Sequence, residues 1–331
     1  MPCIEPPSRE YYKGLLVSYL TASKDKPSIV MAKDIGIPGK EFRWMFLLNR
    51  LGFNIAYAPY RGTWLSEGRF MPNSEGALSI TEDISDLIRF SLEKFGSENV
   101  YIMAYSFGGS PSLVASTKFD EVSKIVIYAV PIYTQNAKLN GKYKEKGDFM
   151  HQLGIAHSKM TEEGIFNAYN GFNLQTWNAM IRGRTKLNPY RYSPQLSRIE
   201  ILAIHGTQDK GVNYKRTADF IKALNYYCRL NNITPKTQII LPEKGHRNGL
   251  GPEEELKIME FFAGKLDLKS VEEIRKFMDA HKKSFQRPEG KSKGEIVEVP
   301  FYDLVVKQII EFQKAGLIKS RPLEEILSSI F

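Results

Sequence analysis

The sequence has little cysteine and no long apolar run. Only two cysteines occur among its 331 residues, Cys3 and Cys228. They lie far apart, offer no disulfide framework and suit a reducing compartment. No stretch is apolar and uncharged over the length a bilayer needs, so no membrane span is predicted. The N-terminus, Met-Pro-Cys-Ile-Glu-Pro-Pro, lacks a basic region followed by an apolar one. No secretory leader is expected, and the expected location is cytoplasmic. The five histidines are spaced without a cysteine–histidine cluster, so no metal is expected. Gly36-Ile-Pro-Gly39 lacks the glycine-lysine pair of a phosphate-binding loop.

The net charge is +9. A basic balance can draw nucleic acid or anionic membranes. Here lysine and arginine are mostly interleaved with acids, and no nucleic-acid signature stands out. The densest basic stretches, 138–146 and 282–293, also carry Gly, Asn, Ser or Pro and read as solvated loops. Neither nucleic acid nor membrane is expected as a partner.

Up to about residue 265, short apolar runs alternate with amphipathic ones. Residues 15–20, 28–32, 54–58, 100–104, 124–130, 199–204 and 237–241 read as strands. Most are continuous apolar runs, as expected for strands buried on both faces of a mainly parallel sheet. Residues 41–51, 80–95, 108–116, 214–230 and 252–262 read as helices between them. This alternation implies βαβ units in a doubly wound α/β fold. One connection breaks the rhythm. About 65 residues separate the strand ending near Pro131 from the one starting near Ile199, far more than an ordinary loop. The insertion, about 133–195, is rich in aromatic residues and reads as a helical cap over the carboxyl edge, where open sheets bind ligands. Residues 266–331 read as a C-terminal helical extension to the 1–265 domain.

Three motifs carry chemistry. An apolar strand runs into Ala104-Tyr105-Ser106-Phe107-Gly108, followed by a helical pattern. A serine between small residues at a strand-to-helix turn is a nucleophile elbow, whose tight backbone leaves no room for bulky neighbours. The helix behind it aims its positive end at developing negative charge. A serine hydroxyl needs a base, and the base needs an orienting acid. Ile201-Leu-Ala-Ile-His-Gly-Thr-Gln-Asp209 places an acid just past a buried strand. Thr237-Gln-Ile-Ile-Leu-Pro-Glu-Lys-Gly-His246 does the same for a histidine. Ser106, Asp209 and His246 thus stand in the order nucleophile, acid, base, each beyond a separate strand. Of the other histidines, His205 reads as a packing or turn residue, His151 and His157 as cap surface, and His281 as solvated tail.

With these motifs, the chain resembles the α/β-hydrolase superfamily, and within it the esterases and the catalytic domains of prolyl-oligopeptidase-like peptidases. Tyr192-Ser-Pro, Ile201 to Asp209 and Gly245-His246 match that family's late segment, and Tyr60-Arg-Gly-Thr-Trp-Leu-Ser-Glu-Gly68 its loop after the second parallel strand. The resemblance covers about residues 12–264. It implies an oxyanion hole built from two backbone N–H groups, those of Phe107 and, aligned on the loop after strand 28–32, Ile35. In that loop Lys33-Asp34 replaces the usual His-Gly. Asp34 brings a negative charge toward a second one unless Lys33 or Arg61 neutralises it, and losing one donor costs about 10²–10³ in turnover.

The resulting expectation is a carboxylic-ester hydrolase working through an acyl-enzyme on Ser106, needing no cofactor. Tyr105, Phe172 and Trp177 are expected to line a site for a small-molecule ester or acyl substrate. An aminopeptidase, acyl-peptidase or acyltransferase of the same fold is the alternative. A catalytically weakened binding protein is the alternative outside enzymology, motivated by Lys33-Asp34. The helix pattern at 302–315 has an apolar face that must be covered, so self-association as a homodimer through the extension is expected.

Overall fold

In the computed structural model, the described residues are 7–24, 26–33, 40–63, 66–70, 78–133, 154–155, 158, 171–209, 211–245, 250–266, 272–273 and 276. Eight strands form one sheet: β1 (Ser8–Tyr12), β2 (Leu15–Leu20), β3 (Ser28–Ala32), β4 (Asn54–Tyr57), β5 (Val100–Tyr105), β6 (Val122–Tyr128), β7 (Glu200–Ile204) and β8 (Thr237–Ile240). Their order across the sheet is β1-β2-β4-β3-β5-β6-β7-β8. Strands β4, β3, β5, β6, β7 and β8 run parallel, while β1 and β2 join antiparallel at one edge. Parallel neighbours end on the same edge, so every loop leaving β3, β5, β6, β7 and β8 emerges together.

The strands sort their side chains by alternation. Val30, Ile102, Ala104, Ile125, Ile127, Ile201 and Ala203 enter one core. Their neighbours Ile29, Met31, Met103, Val126, Leu202 and Ile204 enter the other. A sheet buried on both faces needs apolar residues at every position, which explains the continuous runs. Helices α2 (Ser79–Phe95), α3 (Gly109–Ser116), α4 (Leu174–Ile181) and α5 (Tyr214–Leu230) cover the first face through residues such as Ile84, Leu113, Trp177 and Phe220. Helices α1 (Lys40–Arg50) and α6 (Pro252–Ala263) cover the second through Met45, Leu48, Ile258 and Phe262. This is the doubly wound α/β arrangement expected. Among the described residues, no helix is long and apolar enough to cross a membrane.

Strand β1 is an addition to the expected elements. Its residues are mostly half-buried or exposed, and Ser-Arg-Glu-Tyr-Tyr has no apolar run to announce it. It is an edge strand, held to β2 by a two-residue turn in which Lys13 and Gly14 both take positive φ, 49° and 83°. That is the turn whose twist matches a tight hairpin. Strand β6 ends at Tyr128, two residues earlier than expected, because Ala129 turns to φ 50°. Of the insertion at 133–195, the described residues are 133, 154–155, 158 and 171–195, which hold α4 and the turn Pro189–Tyr192. Among its described residues, Trp177, Met180 and Leu187 join the main core. Apart from 266, 272, 273 and 276, the extension lies outside the described residues, as do His151, His157 and His281.

Candidate active site at the carboxyl edge of the sheet

Ser106 follows directly on β5. Tyr105 is still extended, at φ −118° and ψ 137°, and Ser106 then swings to φ 46°. Left-handed backbone is costly for any residue with a Cβ. The chain at once closes a 3₁₀ turn, Ser106–Gly108, and continues as α3. The N–H groups of this first turn have no partner within the helix, and Phe107 is among them. Two glycines make the turn possible. A Cβ on Gly108 would stand 2.6 Å from the Lys33 carbonyl oxygen and 2.7 Å from the Ala32 carbonyl oxygen. A Cβ on Gly109 would strike the Val130 side chain. The smallness at 104 and 108 expected from the sequence is therefore steric: Ala104 is fully buried, and 108 tolerates no side chain.

The Phe107 ring is fully buried and held on several sides. It stacks on Trp177 with ring centres 5.5 Å apart, meets Tyr60 edge-on at 5.9 Å and lies 6.1 Å from Phe70. Phe172 in turn stacks on Phe70 at 6.1 Å. Such pairs add about 0.5–1.5 kcal/mol each beyond area burial. Trp177, expected among substrate-lining residues, is completely enclosed and packs on Phe107 and Phe172. Phe172 is half-buried against the same cluster. Tyr105 is half-buried and stacks on Tyr128 of β6 at 5.2 Å.

Across the turn lies the end of β3. The Tyr60 hydroxyl donates to the Lys33 carbonyl at 2.6 Å. Lys33 is buried, with its ammonium 6.0 Å from the centre of the Tyr57 ring. Asp34 and Ile35 lie outside the described residues. Arg61 has its own carboxylates: its guanidinium pairs with Asp83 and, at 2.6 Å, with Asp86 of α2, and donates to the Lys13 carbonyl. Its charge is thus committed to α2. Burial would lower its basicity, but these carboxylates outweigh burial and raise it.

Asp209 follows β7, and its side chain is fully buried. Its Oδ1 accepts from the amides of Gly211 and Val212, both at 2.8 Å. Its Oδ2 lies 3.2 Å from Nε2 of His205. Its charge is felt at Tyr128: burial first, then the carboxylates of Asp209 and Glu254, push that phenol up to about 12. The neutral phenol of Tyr128 and the ring of His205 are neighbours that sequence reasoning did not assign to the site. Their signal was only positional, since each stands at or just past a strand's carboxyl end.

The chain leading to His246 is sewn to the acid's loop. The Thr207 amide donates to the Pro242 carbonyl at 2.9 Å and the Gln208 amide to the Lys244 carbonyl at 3.0 Å. Gly206 has no room for a side chain against that same Lys244 carbonyl. Lys244 pairs with Glu254 at 2.6 Å, and Glu254 also accepts from the Gly251 amide, anchoring the far side of the loop on α6. Burial would raise the Glu254 carboxyl, but Lys244 and the Gly251 amide outweigh it and hold it low. His246 itself lies outside the described residues. Among the described residues, no group of three or more His, Cys, Asp or Glu could hold a metal ion.

This geometry can be set beside known proteins. The Pyrococcus furiosus esterase Pf2001 superposes with a TM-score of 0.53 at 15% identity, covering 75% of this chain and 84% of the esterase. A second crystal form of that esterase gives 0.51 at 12% identity, covering 75% and 86%. The Pyrococcus horikoshii acylaminoacyl peptidase aligns at 18% identity with a TM-score of 0.49, covering 88% of this chain and 43% of the peptidase. At identities this low, the two esterase superpositions speak for the fold alone. No curated protein sequence matches the chain. The sequence model of the prolyl oligopeptidase family, however, matches residues 40–269, well over half of the chain and the whole span from α1 through α6. The chain belongs to the prolyl oligopeptidase family and is a serine hydrolase of the α/β-hydrolase fold.

Proposed function

We propose that the protein hydrolyses carboxylic esters of small molecules through an acyl-enzyme on Ser106, with His246 as general base and Asp209 as the orienting acid. The observation that carries this reading is the left-handed Ser106 between an extended strand and a helix N-terminus. The Ser106 hydroxyl attacks the ester carbonyl while His246 takes its proton. The amides of Phe107 and Ile35 receive the resulting oxyanion. Collapse expels the alcohol, which takes the proton back from His246. Water, deprotonated by the same ring, then attacks the acyl carbon; the acid departs and Ser106 takes that proton back from His246. Asp209 keeps His246 in the tautomer that can accept at its outer nitrogen. The loop stitching at Thr207, Gln208 and Lys244 supports this pairing, because it ties the segment before His246 to the turn that bears Asp209.

In this reading the insertion at 133–195 is a cap over the site, and the extension at 266–331 an arm for self-association. A chain ending at residue 266 that stays soluble at the full-length oligomeric state would remove the second idea. The primary test is fluorophosphonate labelling with peptide mapping, beside turnover of short and medium p-nitrophenyl esters. Labelling at Ser106 with ester turnover is expected. Membership of a peptidase family favours a second reading, cleavage of aminoacyl amides by the same triad. A higher kcat/KM for aminoacyl p-nitroanilides than for esters would select it. A folded protein that neither labels nor turns over either substrate would leave only a binding role.

A further inference from the structure

His205 stands at the end of β7, fully buried, with each ring nitrogen occupied. Its Nδ1 lies 2.8 Å from the hydroxyl of Thr217 on α5. Its Nε2 lies 3.2 Å from Asp209 Oδ2 and 3.2 Å from the Val212 carbonyl. The Thr217 hydroxyl also reaches the Val130 carbonyl at 3.1 Å. An ionised carboxylate and a backbone carbonyl only accept, so the ring must present Nε2–H to them. Thr217 has one hydroxyl proton: it either donates to Nδ1 or, donating to the Val130 carbonyl, accepts at Nδ1, and its position steadies the ring in both arrangements. Burying such groups unpaired would cost about 1–3 kcal/mol each, so the set forms as a unit or not at all.

We propose that His205 is a positioning residue for the acid of the triad, an inference that rests on the reading of Asp209 given above. A carboxylate offers about four lone-pair directions. The Gly211 and Val212 amides occupy Oδ1, and His205 takes one direction on Oδ2. These three described donors fix the rotation of the carboxyl plane. The direction left to a fourth donor is fixed with it, and the proposed triad assigns that direction to the ring of His246. Thr217 extends the brace to Val130, where the chain leaves β6 beside the elbow helix. The Ser110 hydroxyl of α3 holds the next carbonyl, that of Pro131, at 2.6 Å. Acid loop and elbow are thus referred to one common strand end.

The test uses the full chain with His205→Gln, His205→Asn and Thr217→Val. The Gln amide can place an N–H where Nε2 stands, toward Asp209. The shorter Asn amide reaches only the Nδ1 position, toward Thr217. Turnover of p-nitrophenyl butyrate and the rate of fluorophosphonate labelling are measured beside thermal melting. The expected result is a kcat loss of about 10–100-fold for His205→Asn at nearly unchanged KM, by analogy with groups that orient metal ligands. His205→Gln should recover most of that loss, and Thr217→Val should lose less than His205→Asn. If kcat follows the folded fraction alone, or Gln and Asn lose equally, the inference is overturned. Should His205→Asn fail to fold, Thr217→Val and His205→Gln decide: full kcat in Thr217→Val together with no advantage of Gln over His205→Leu overturns it. Asp209→Asn and Ser106→Ala run in parallel. Turnover surviving in those variants would overturn the triad reading itself. Turnover lost there but intact in His205→Asn would overturn only the present inference.

Discussion

Gly108→Ala is the sharpest perturbation of the elbow that leaves every proposed reacting group in place. The added Cβ would stand 2.6 Å from the Lys33 carbonyl and 2.7 Å from both the Ala32 carbonyl and the Tyr60 hydroxyl. Ordinary contact begins near 3.4 Å, so the two segments must part by about 0.8 Å. Two of the three obstacles are backbone of β3 and its exit, which cannot swing aside. Overpacking of this kind costs about 1–3 kcal/mol of stability. The larger effect falls on rate. The Lys33 carbonyl belongs to the loop that leads to Ile35, the proposed second oxyanion donor. Oxyanion donors work at about 2.7–3.1 Å, and losing one costs about 10²–10³ in kcat. Gly108→Ala should therefore melt only several degrees lower yet lose about 100-fold or more in kcat, with KM little changed. The assay is ester turnover on a sample shown folded by circular dichroism, with fluorophosphonate labelling as a second readout. Wild-type kcat in a folded variant would refute the reasoning, since neither segment could then be part of a tight oxyanion frame.

Ser106→Gly and Ser106→Ala should both abolish turnover, but Gly relieves the left-handed backbone by about 1 kcal/mol, so it should melt about 2–4 °C above Ala. Trp177→Ala should cost about 3–5 kcal/mol by denaturant unfolding, because the ring is fully enclosed, and should slow Ser106 labelling through Phe107. Trp177→Phe should retain most of both. Arg61→Ala leaves Asp83 buried without its guanidinium and should cost about 3 kcal/mol at pH 8. The sign of its pH dependence follows from Asp83: burial, partly offset by Arg61, already pushes that carboxyl up to about 6. A raised folded value means the native state gains the proton first, so stability falls as pH rises from about 4 to 6. Without Arg61 that carboxyl is pushed higher still, so the fall in stability extends to higher pH, and lowering the pH below 6 should recover part of the lost stability. Urea unfolding of both proteins at pH 5 and pH 8 measures it.

The alternation of apolar runs and amphipathic segments was legible because a parallel sheet demands it. Residues 15–20, 28–32 and 214–230 coincide with β2, β3 and α5. Boundaries slipped where local backbone, not hydrophobicity, decides. Composition favours extending β6 through Val130, but the left-handed Ala129 stops it. Strand β1 was missed because an exposed edge strand needs no apolar run. In the site, Ser106 and Asp209 were legible as strand-end residues in a fixed order. The use made of their neighbours was not. His205 is apt as a packing or turn residue by type, yet only the fold of 205–212 reveals that its ring meets Asp209. The enclosure of Trp177 between Phe107 and Phe172 was not legible, because exposed and buried aromatics look alike in a sequence. Arg61 was considered as a neutraliser for Asp34, but α2 brings Asp83 and Asp86 to it from more than twenty residues away.

The distribution of backbone strain argues for chemistry at this edge. Four described non-glycine residues have positive φ: Lys13, Ser106, Ala129 and Asn232. Lys13 sits in a hairpin turn, and Asn232 follows the end of α5, a place and a residue type that accept that conformation. Ser106 and Ala129 have no such excuse. They lie just past the carboxyl ends of adjacent strands, β5 and β6. Each such residue costs about 1–3 kcal/mol and persists only where its surroundings over-determine it. Around Ala129 they do: its amide donates to Ile204, and the next two carbonyls are held by Thr217 and Ser110. Around Ser106 the Gly108 contact with β3 and the clamped Phe107 ring do the same. A binding surface can be built from unstrained loops. A serine on a strained turn, with a buried carboxylate held by three described donors two strands away, fits the demands of the proposed nucleophilic catalysis. That asymmetry favours a working hydrolase over a weakened binding protein.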